Sequence, residues 1–448
     1  MPQSDHPPVA QRVPLSAGQE RLWVLDQMVP EGTYNVTECF RLVGKVDESA
    51  LCRAAEALVA RHEALRTGVD DETGTPEGRL FAPHMVNVDV MSQVAADDEE
   101  LQRLLTAAAL QPFDLRDGPL LRVAHFRQSH APDGHVILLV LHHISVDGWS
   151  GAILRREFWT LYDDFAAGRA PRLLPLSATY AEYVTSQRRW LDGDEAKEQL
   201  AYWRERLARP PELLSFAGGV AGTPEPRRTD VITFALPADA VRAVREAGPT
   251  FGTTAFVVLL AGFAAALTRV TEADEFIVGT PVTDRPSVAL EGVIGSFDNT
   301  VLLRIAPAES FSIREFVEHV RTVTLDAFFN KEIPFQHVVR ALAPVRERGG
   351  TAPPLCNVAF SVEETSEERW SVHGAQVMPH SWIFRPPARF DLTLMAELGG
   401  DTITGHLYLD PDYVPRPAAE RLARATTDAL TQLSGQPDSL LRVRENGA

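Results

Sequence analysis

The chain reads as an α/β protein of two lobes, and three observations carry that expectation. Its 448 residues are too many for one ordinary core, because domains usually hold ~100–200 residues. Helix-spaced and strand-like apolar patterns alternate along it. Two loop-rich stretches, "GRAPRLLPLSAT" (168–179) and "RPPELLSFAGGVAGTPEPRR" (209–228), hold too much Pro and Gly for helix, and the alternation restarts after the second. The lobes are expected at 1–177 and 178–448.

The elements follow in order. Residues 47–67 are expected to form a helix, with Leu51, Ala55, Leu58 and Val59 on one face. Residues 118–128 and 134–144 read as strands, and the second carries an unbroken apolar run from Val136 to Leu141. Such a run suits a strand covered on both faces. An amphipathic helix is expected over 150–168. In the second lobe, strands are expected at 230–237, 275–282 and 299–307, and helices at 254–270 and 312–330. "CNVAFSVEE", "RFDLTLMAEL" and "DTITGHLYLD" read as further strands, and 416–433 as a terminal helix.

Composition narrows the function classes. Apolar residues make up 45% and charged residues 23%, ordinary values for a globular enzyme. The formal charge of −18 argues against nucleic acid as a partner, because phosphate binding wants a basic face. It argues equally against an anionic membrane surface. Cys39, Cys52 and Cys356 are scattered and form no C-x-x-C pair. Neither a disulfide framework nor a structural zinc site is expected, and a reducing cytoplasm fits. The N-terminal stretch lacks the apolar core of a signal peptide. "TTAFVVLLAGFAAAL" (253–267) is shorter than the ~20 residues of a spanning helix and reads as a buried one.

The chemistry concentrates in "LVLHHISVDGWS" (139–150), where the greasiest strand ends in two histidines. Successive strand side chains point to opposite faces. His142 and His143 therefore cannot both aim at one metal, and no third or fourth ligand lies nearby. His143, nearest the strand's end, is the candidate for meeting a proton-bearing nucleophile. His142 is expected to fill an internal position. Asp147 is either a helix N-cap or a buried carboxylate held by an arginine from elsewhere, since burial without a partner is costly. Gly148 permits positive φ or close backbone approach. The amides around it open a helix and favour developing negative charge. These residues alone point to an acyl- or proton-transfer site.

"HHISVDG" matches the H-H-x-x-x-D-G signature of condensation domains from nonribosomal peptide synthetases. Other blocks resemble that family in the same order: "LSAGQERLWVLDQM" (15–28), "RHEALRTGV" (61–69), "TYAEYVTSQRRWL" (179–191), "GTPVTDRP" (279–286), "IGSFDNTVLLR" (294–304), "IPFQHVVRAL" (333–342) and "RFDLTL" (389–394). Together they span almost the whole chain. The resemblance implies two chloramphenicol acetyltransferase-like lobes in a V-shaped pseudo-dimer with a central tunnel. It implies transfer of an acyl or aminoacyl group, carried as a phosphopantetheine thioester on an acyl- or peptidyl-carrier protein, to an amine or alcohol acceptor. The product is an amide or an ester, and no tightly bound cofactor is implied. By the same resemblance His143 stands at the reaction centre, with Gly148 N–H a possible oxyanion donor. Asp147 pairs with Arg285, and Arg66 lies near the site. Residues alone would instead make Arg66 a surface arginine at a helix end.

Departures and alternatives accompany the resemblance. Ala352 in "TAPPLCNV" stands where the family commonly has arginine. Asp298 in "SFDNT" stands where an apolar residue is usual. Both are expected on the second lobe's side of the cleft, and signal an unusual acceptor or altered carrier docking. The order Trp149-Ser150 differs from the Ser-Trp of epimerisation domains. The paired aspartates of heterocyclisation domains are absent. A coenzyme-A-dependent small-molecule acyltransferase and a non-catalytic carrier-binding module are the alternative functions. The initial methionine, without adenylation or carrier segments, suggests a free-standing enzyme with a small-molecule acceptor, an excised synthetase piece being the alternative. Carrier proteins are usually acidic and so is this chain, so docking needs a local patch. "RERG" (346–349) and "SQRRW" (186–190) are candidates, though each reads first as an ordinary solvated face.

Overall fold

This computed structural model describes residues 9–441 except 30, 31, 73, 86, 89, 130, 132, 220–226, 343–354, 365–367, 381, 383, 434 and 436. Ala352 and the "RERG" stretch lie outside the described residues. The chain divides into two compact units, one taking 1–193, 283–298 and 367–386, the other 194–282, 299–366 and 387–448. A single cut after residue 177 differs from this division, because the chain returns twice to the first unit. The reason is packing: Tyr180, Tyr183 and Val184 share a buried cluster with Ala64, Leu290, Val293 and Phe297.

The chain opens with β1 (Val9–Val13), α1 (Ala17–Asp26), β2 (Asn35–Gly44), α2 (Glu48–Arg61), β3 (Thr67–Asp70), β4 (Glu77–Phe81) and β5 (Val90–Ala95). Next come α3 (Asp98–Leu110), β6 (Leu121–Gln128), β7 (Gly134–His142), α4 (Gly148–Ala166) and α5 (Tyr180–Leu191). The second unit holds α6 (Asp194–Arg206), β8 (Asp230–Ala235), α7 (Ala238–Arg245), α8 (Ala247–Phe251), α9 (Ala255–Thr271), β9 (Phe276–Thr283) and β10 (Asp298–Ile305). It continues through α10 (Ile313–Phe329), α11 (Phe335–Leu342) and β11 (Val358–Glu364). β12 (Trp370–Val372) and β13 (Ala375–Pro379) return to the first unit; β14 (Leu392–Leu398), β15 (Ile403–Leu409) and α12 (Arg416–Leu433) complete the second.

In the first unit the main sheet runs β12-β13-β2-β7-β6-β5, with β1-β4-β3 as a small separate sheet. β7 lies inside the order, antiparallel to both β2 and β6, and all nine of its residues are buried. Its alternation explains the unbroken apolar run. Val136, Leu138 and Val140 pack with Leu101 and Leu105 of α3. Ile137, Leu139 and Leu141 pack with Leu51 and Leu58 of α2 and Leu154 and Phe158 of α4. Both faces are therefore dry, as a polar residue at any of these positions would not permit.

The second unit's sheet runs β10-β9-β11-β14-β15-β8. β9, β11 and β14 are parallel, while β15 and β8 are added antiparallel. The greasy stretch at 253–267 falls in α9, which is buried from Val257 to Thr268. Gly262 lets α12 come close, since a Cβ there would stand 2.4 Å from Leu430 Cδ2. Among the described residues no helix is long and apolar enough to cross a membrane. The aspartate of "RFDLTL" is structural: Asp391 is buried and accepts from Arg227 Nη2 at 2.6 Å and Asn357 Nδ2 at 2.8 Å.

Candidate functional site

The two histidines part company where β7 ends. His142 is buried, and its Nδ1 accepts from Ile144 N–H at 3.2 Å. That bond leaves the ring proton on Nε2, which donates to Asp26 Oδ1 at 3.2 Å. Tyr34 and Phe113 meet the ring edge-on. His143 instead enters a 3₁₀ turn, His143–Ser145, with its N–H given to Tyr34 O at 2.8 Å. Its side chain stays 18% exposed, and Nε2 lies 3.9 Å from Asp298 Oδ2. Gln19 steadies the turn from α1: it caps that helix reciprocally with Ser16, and its Nε2 donates to Ile144 O at 3.2 Å. The Ser and Gln of the opening block are thus supports for the histidine turn.

Asp147 is a helix cap and a buried ion-pair partner at once, uniting two readings the residues left open. Its Oδ1 accepts from Ser150 N–H at 2.8 Å, capping α4, and from Arg285 Nη2 at 3.0 Å. Its Oδ2 accepts from Phe297 N–H at 3.2 Å. Arg285 Nη2 also donates to Ser150 Oγ at 2.9 Å, and the guanidinium lies 3.8 Å from the Phe297 ring centroid. Burial pushes Asp147 up from its ordinary value, against the pull of Arg285 and Ser150. Burial likewise pushes Arg285 down, against the Asp147 charge. One carboxylate therefore ties the start of α4 to the 285–297 segment.

Gly148 corrects an expectation. Its φ is not positive, and a Cβ there would meet no protein atom within 4 Å. Neither backbone strain nor a close protein neighbour requires glycine; the residue is exposed and borders open space at the helix's first turn. Arg66 corrects another. α2 ends at Arg61 because His62 takes extended backbone, and the chain then turns inward. Arg66 is consequently buried rather than at the surface, and its Nη1 donates to Phe81 O at 2.5 Å. Its 3₁₀ turn, Glu63–Arg66, packs against the His143 turn. Asp298, expected on the second lobe's side, closes the 283–298 segment of the first unit.

Several supporting residues carried no role in the sequence reading. His62, inside "RHEALRT", is buried; its Nδ1 accepts from Ile294 N–H at 3.2 Å and its Nε2 bonds Glu157 Oε2 at 2.8 Å. Burial lowers its pKa. Tyr180 donates to Ser296 O at 2.8 Å, and a Cβ on Gly295 would stand 2.2 Å from its ring. Ser150 donates to Gly295 O at 2.9 Å. The signal for each was present as a matching block, but its partner lies too far along the chain for spacing to show. In "SQRRW", Arg188 bonds Leu15 O and Glu20 within its own unit, while Arg189 is exposed.

Comparison with known proteins completes the description. The model of the condensation domain matches residues 9–444. The chain is 34% identical over 418 residues to malpinin synthetase of Mortierella alpina, covering 91% of this chain and 5% of that protein. It is 33% identical over 450 residues to phosphinothricin tripeptide synthetase of Streptomyces viridochromogenes, covering 97% of this chain and 37% of that one. The chain thus spans only a minor part of these relatives' length. Among solved structures, the X-domain from teicoplanin biosynthesis superposes with a TM-score of 0.87 at 25% identity, over 99% of this chain and 100% of that one. The first condensation domain of the calcium-dependent antibiotic synthetase shares the fold, with a TM-score of 0.79 at 21% identity over 97% and 98% of the two chains. With the family's signature at the end of its buried strand and the match running through both units, the chain belongs to the condensation-domain family of nonribosomal peptide synthetases.

Proposed function

We propose that the chain transfers an acyl or aminoacyl group from the phosphopantetheine thioester of a carrier protein to an amine or alcohol, forming an amide or ester. The observation that carries this reading is the placement of His143. A 3₁₀ turn held by Tyr34 and Gln19 carries its partly exposed ring, five positions before the start of α4. In the reaction the acceptor's nitrogen or oxygen bonds to the thioester carbonyl carbon, and the carbon–sulfur bond breaks. The acceptor's proton passes to His143 Nε2, and the leaving sulfur departs as the thiol after taking up one proton. Negative charge gathers on the carbonyl oxygen meanwhile, and the exposed Gly148 N–H at the helix start is a donor suited to it. Asp147 and Arg285 hold the start of α4 to the 285–297 segment and take no part in proton transfer. The 3₁₀ turn that ends in Arg66 packs against the His143 turn.

The test offers the purified chain a carrier protein loaded with a panel of acyl groups, together with amine and alcohol acceptors, and follows products by mass spectrometry. The His143→Ala variant is expected to lose ~100- to 10,000-fold of turnover toward an alcohol. The loss toward an amine is smaller, because a neutral amine is already nucleophilic. Full turnover by that variant would refute the assignment. Equal use of the same acyl groups on coenzyme A would favour the small-molecule acyltransferase instead.

A further inference from the structure

The main sheet of the first unit has one open place, on the strand beside the histidine turn. β13 pairs with β2 only from Ala375 opposite Gly44 to Pro379 opposite Phe40. The ladder on that side ends one step later, where His380 N–H donates to Cys39 O at 2.9 Å. The chain then leaves the edge, and Trp382 and Phe384 pack against the cluster that holds Leu101 and Leu138. The backbone groups of successive strand residues face the two neighbours alternately. Tyr34 O turns toward β7 to accept from His143 N–H at 2.8 Å, while Cys39 O and Lys45 N–H turn toward the β13 side. Thr37, two positions from Cys39, therefore points its N–H and C=O to the β13 side. Among the described residues neither group has a partner there, and Thr37 is half-buried. At Asn35 the edge closes again, its N–H donating to Gly32 O at 3.1 Å. The open place is thus one residue long, and all of these residues belong to the first unit.

We infer that the Thr37 backbone is a subsite that pairs with one residue of the acyl chain, so that the donor is amide-bearing: a peptidyl or N-acylaminoacyl group rather than a plain carboxylic acyl group. This rests on the acyl-transfer reading and names its donor class. The argument is one of hydrogen-bond geometry. In antiparallel pairing one residue exchanges both bonds with the residue opposite, whereas parallel pairing spreads them over two. A place one residue long suits an antiparallel occupant, which continues the direction of β13. Such a chain runs toward the end of β2 where Asn35 lies opposite His142. Its C-terminal end, the end that carries the thioester, thereby arrives at the histidine turn. Thr37 lies three positions from Tyr34, which is ~10 Å of extended chain, a span of a few peptide units. A saturated acyl chain along the same edge has no N–H or C=O to give, and strips water from both Thr37 groups without replacing it.

Non-transferable probes test the subsite. The parent is acetyl-trialanyl-aminopantetheine, in which an amide nitrogen replaces the thioester sulfur, and three variants carry an N-methyl group on one alanine each. Binding to the full chain is followed by calorimetry, and deuterium uptake of the 33–42 segment by mass spectrometry. The parent is expected to slow uptake in that segment. A methyl group on the alanine opposite Thr37 should weaken binding about ten-fold and restore uptake. A methyl group on an adjacent alanine, whose N–H faces away, should leave binding within about two-fold. Thr37→Pro removes an N–H that the ladder does not use, and should bring the parent down to the level of the weakest methylated probe. Acetyl-aminopantetheine, which has no peptide, should leave uptake unchanged. Equal binding by the parent and all three variants, or binding by none, would overturn the subsite. So would unchanged binding by Thr37→Pro, or protection by acetyl-aminopantetheine equal to that of the parent. The methyl series uses the wild-type chain, so a Thr37→Pro chain that failed to fold would still leave the test decisive. Transfer from acyl-loaded carriers separates the two readings: His143-dependent transfer that ignores the methyl groups removes only the subsite, and position-specific binding without transfer from any carrier removes only the acyl-transfer reading.

Discussion

Asp147 accepts three hydrogen bonds on a fully buried side chain, one from the start of α4 and two from the 285–297 segment. Truncating it leaves the Arg285 guanidinium buried without its counter-charge and uncaps α4 in the same stroke. Asp147→Ala is therefore expected to cost ~3–5 kcal/mol, read as a fall in the urea midpoint. Asp147→Asn should cost less. Its oxygen can still cap Ser150 and meet Arg285, but its NH₂ would then confront Phe297 N–H, donor against donor. An unchanged midpoint in the alanine variant would remove the structural role given to this carboxylate. The same logic explains why His142 and His143, adjacent in sequence, differ in use. His142 continues the inward alternation of β7 and is spent on Asp26 and Ile144. His143 lies past the strand's last residue, where a turn re-aims its ring.

At the scale of elements, two glycines of the matched blocks make opposite demands. Gly295 lies against Tyr180 with no room for a methyl group, so α5 and the 294–298 segment meet only because that residue lacks a Cβ. Gly295→Ala is expected to destabilise by ~1–3 kcal/mol through overpacking. Gly148 has open space instead and ordinary φ, at the first position of α4. Gly148→Ala should leave the melting temperature unchanged or slightly raised, as alanine favours helix, while lowering transfer activity because the methyl group occupies the space left for reactants. A variant that lost stability, or that lost neither stability nor activity, would contradict this. Comparing both variants by melting curve and turnover separates a glycine required by the fold from one required by the chemistry.

Over the whole molecule, burial sets the pH response. His62, His125, His135, His319 and His380 all have pKa values lowered by desolvation. Below the ordinary histidine value of ~6.5 the unfolded chain takes up protons at these sites before the folded chain does. The unfolded state then binds more protons, so stability must fall as pH falls. Glu157 adds to the slope further down. Burial works against its charge, but His62 and Arg61 overcome that and hold it below the ordinary range, so its contribution is present above ~4.5 and is lost in acid. Unfolding free energy from urea titrations is expected to decline between pH 7 and pH 5. His62→Asn should flatten part of the upper slope. A flat profile would mean these rings are hydrated in the folded state.

The amino-acid sequence by itself determined the family and part of the elements; β2, α3, β5 and β13 are among those it did not single out. β7 was legible because an unbroken apolar run has few alternatives to a strand covered on both faces. α9 was legible because a stretch too short to span a bilayer must be buried by protein. The Asp-Gly after the histidines marked a helix start, which local hydrogen bonding alone can fix. Tertiary structure decided what those elements bring together. Asp147 and Arg285 are 138 positions apart, and Asp147 and the Phe297 N–H are 150 apart. The inward turn that buries Arg66, the return of β12 and β13 to the first sheet, and the carboxylate of Asp298 beside His143 belong to the same class. Periodicity and capping act over a few residues along the chain. Pairing between distant side chains depends on how separate elements pack, and no local pattern encodes that distance.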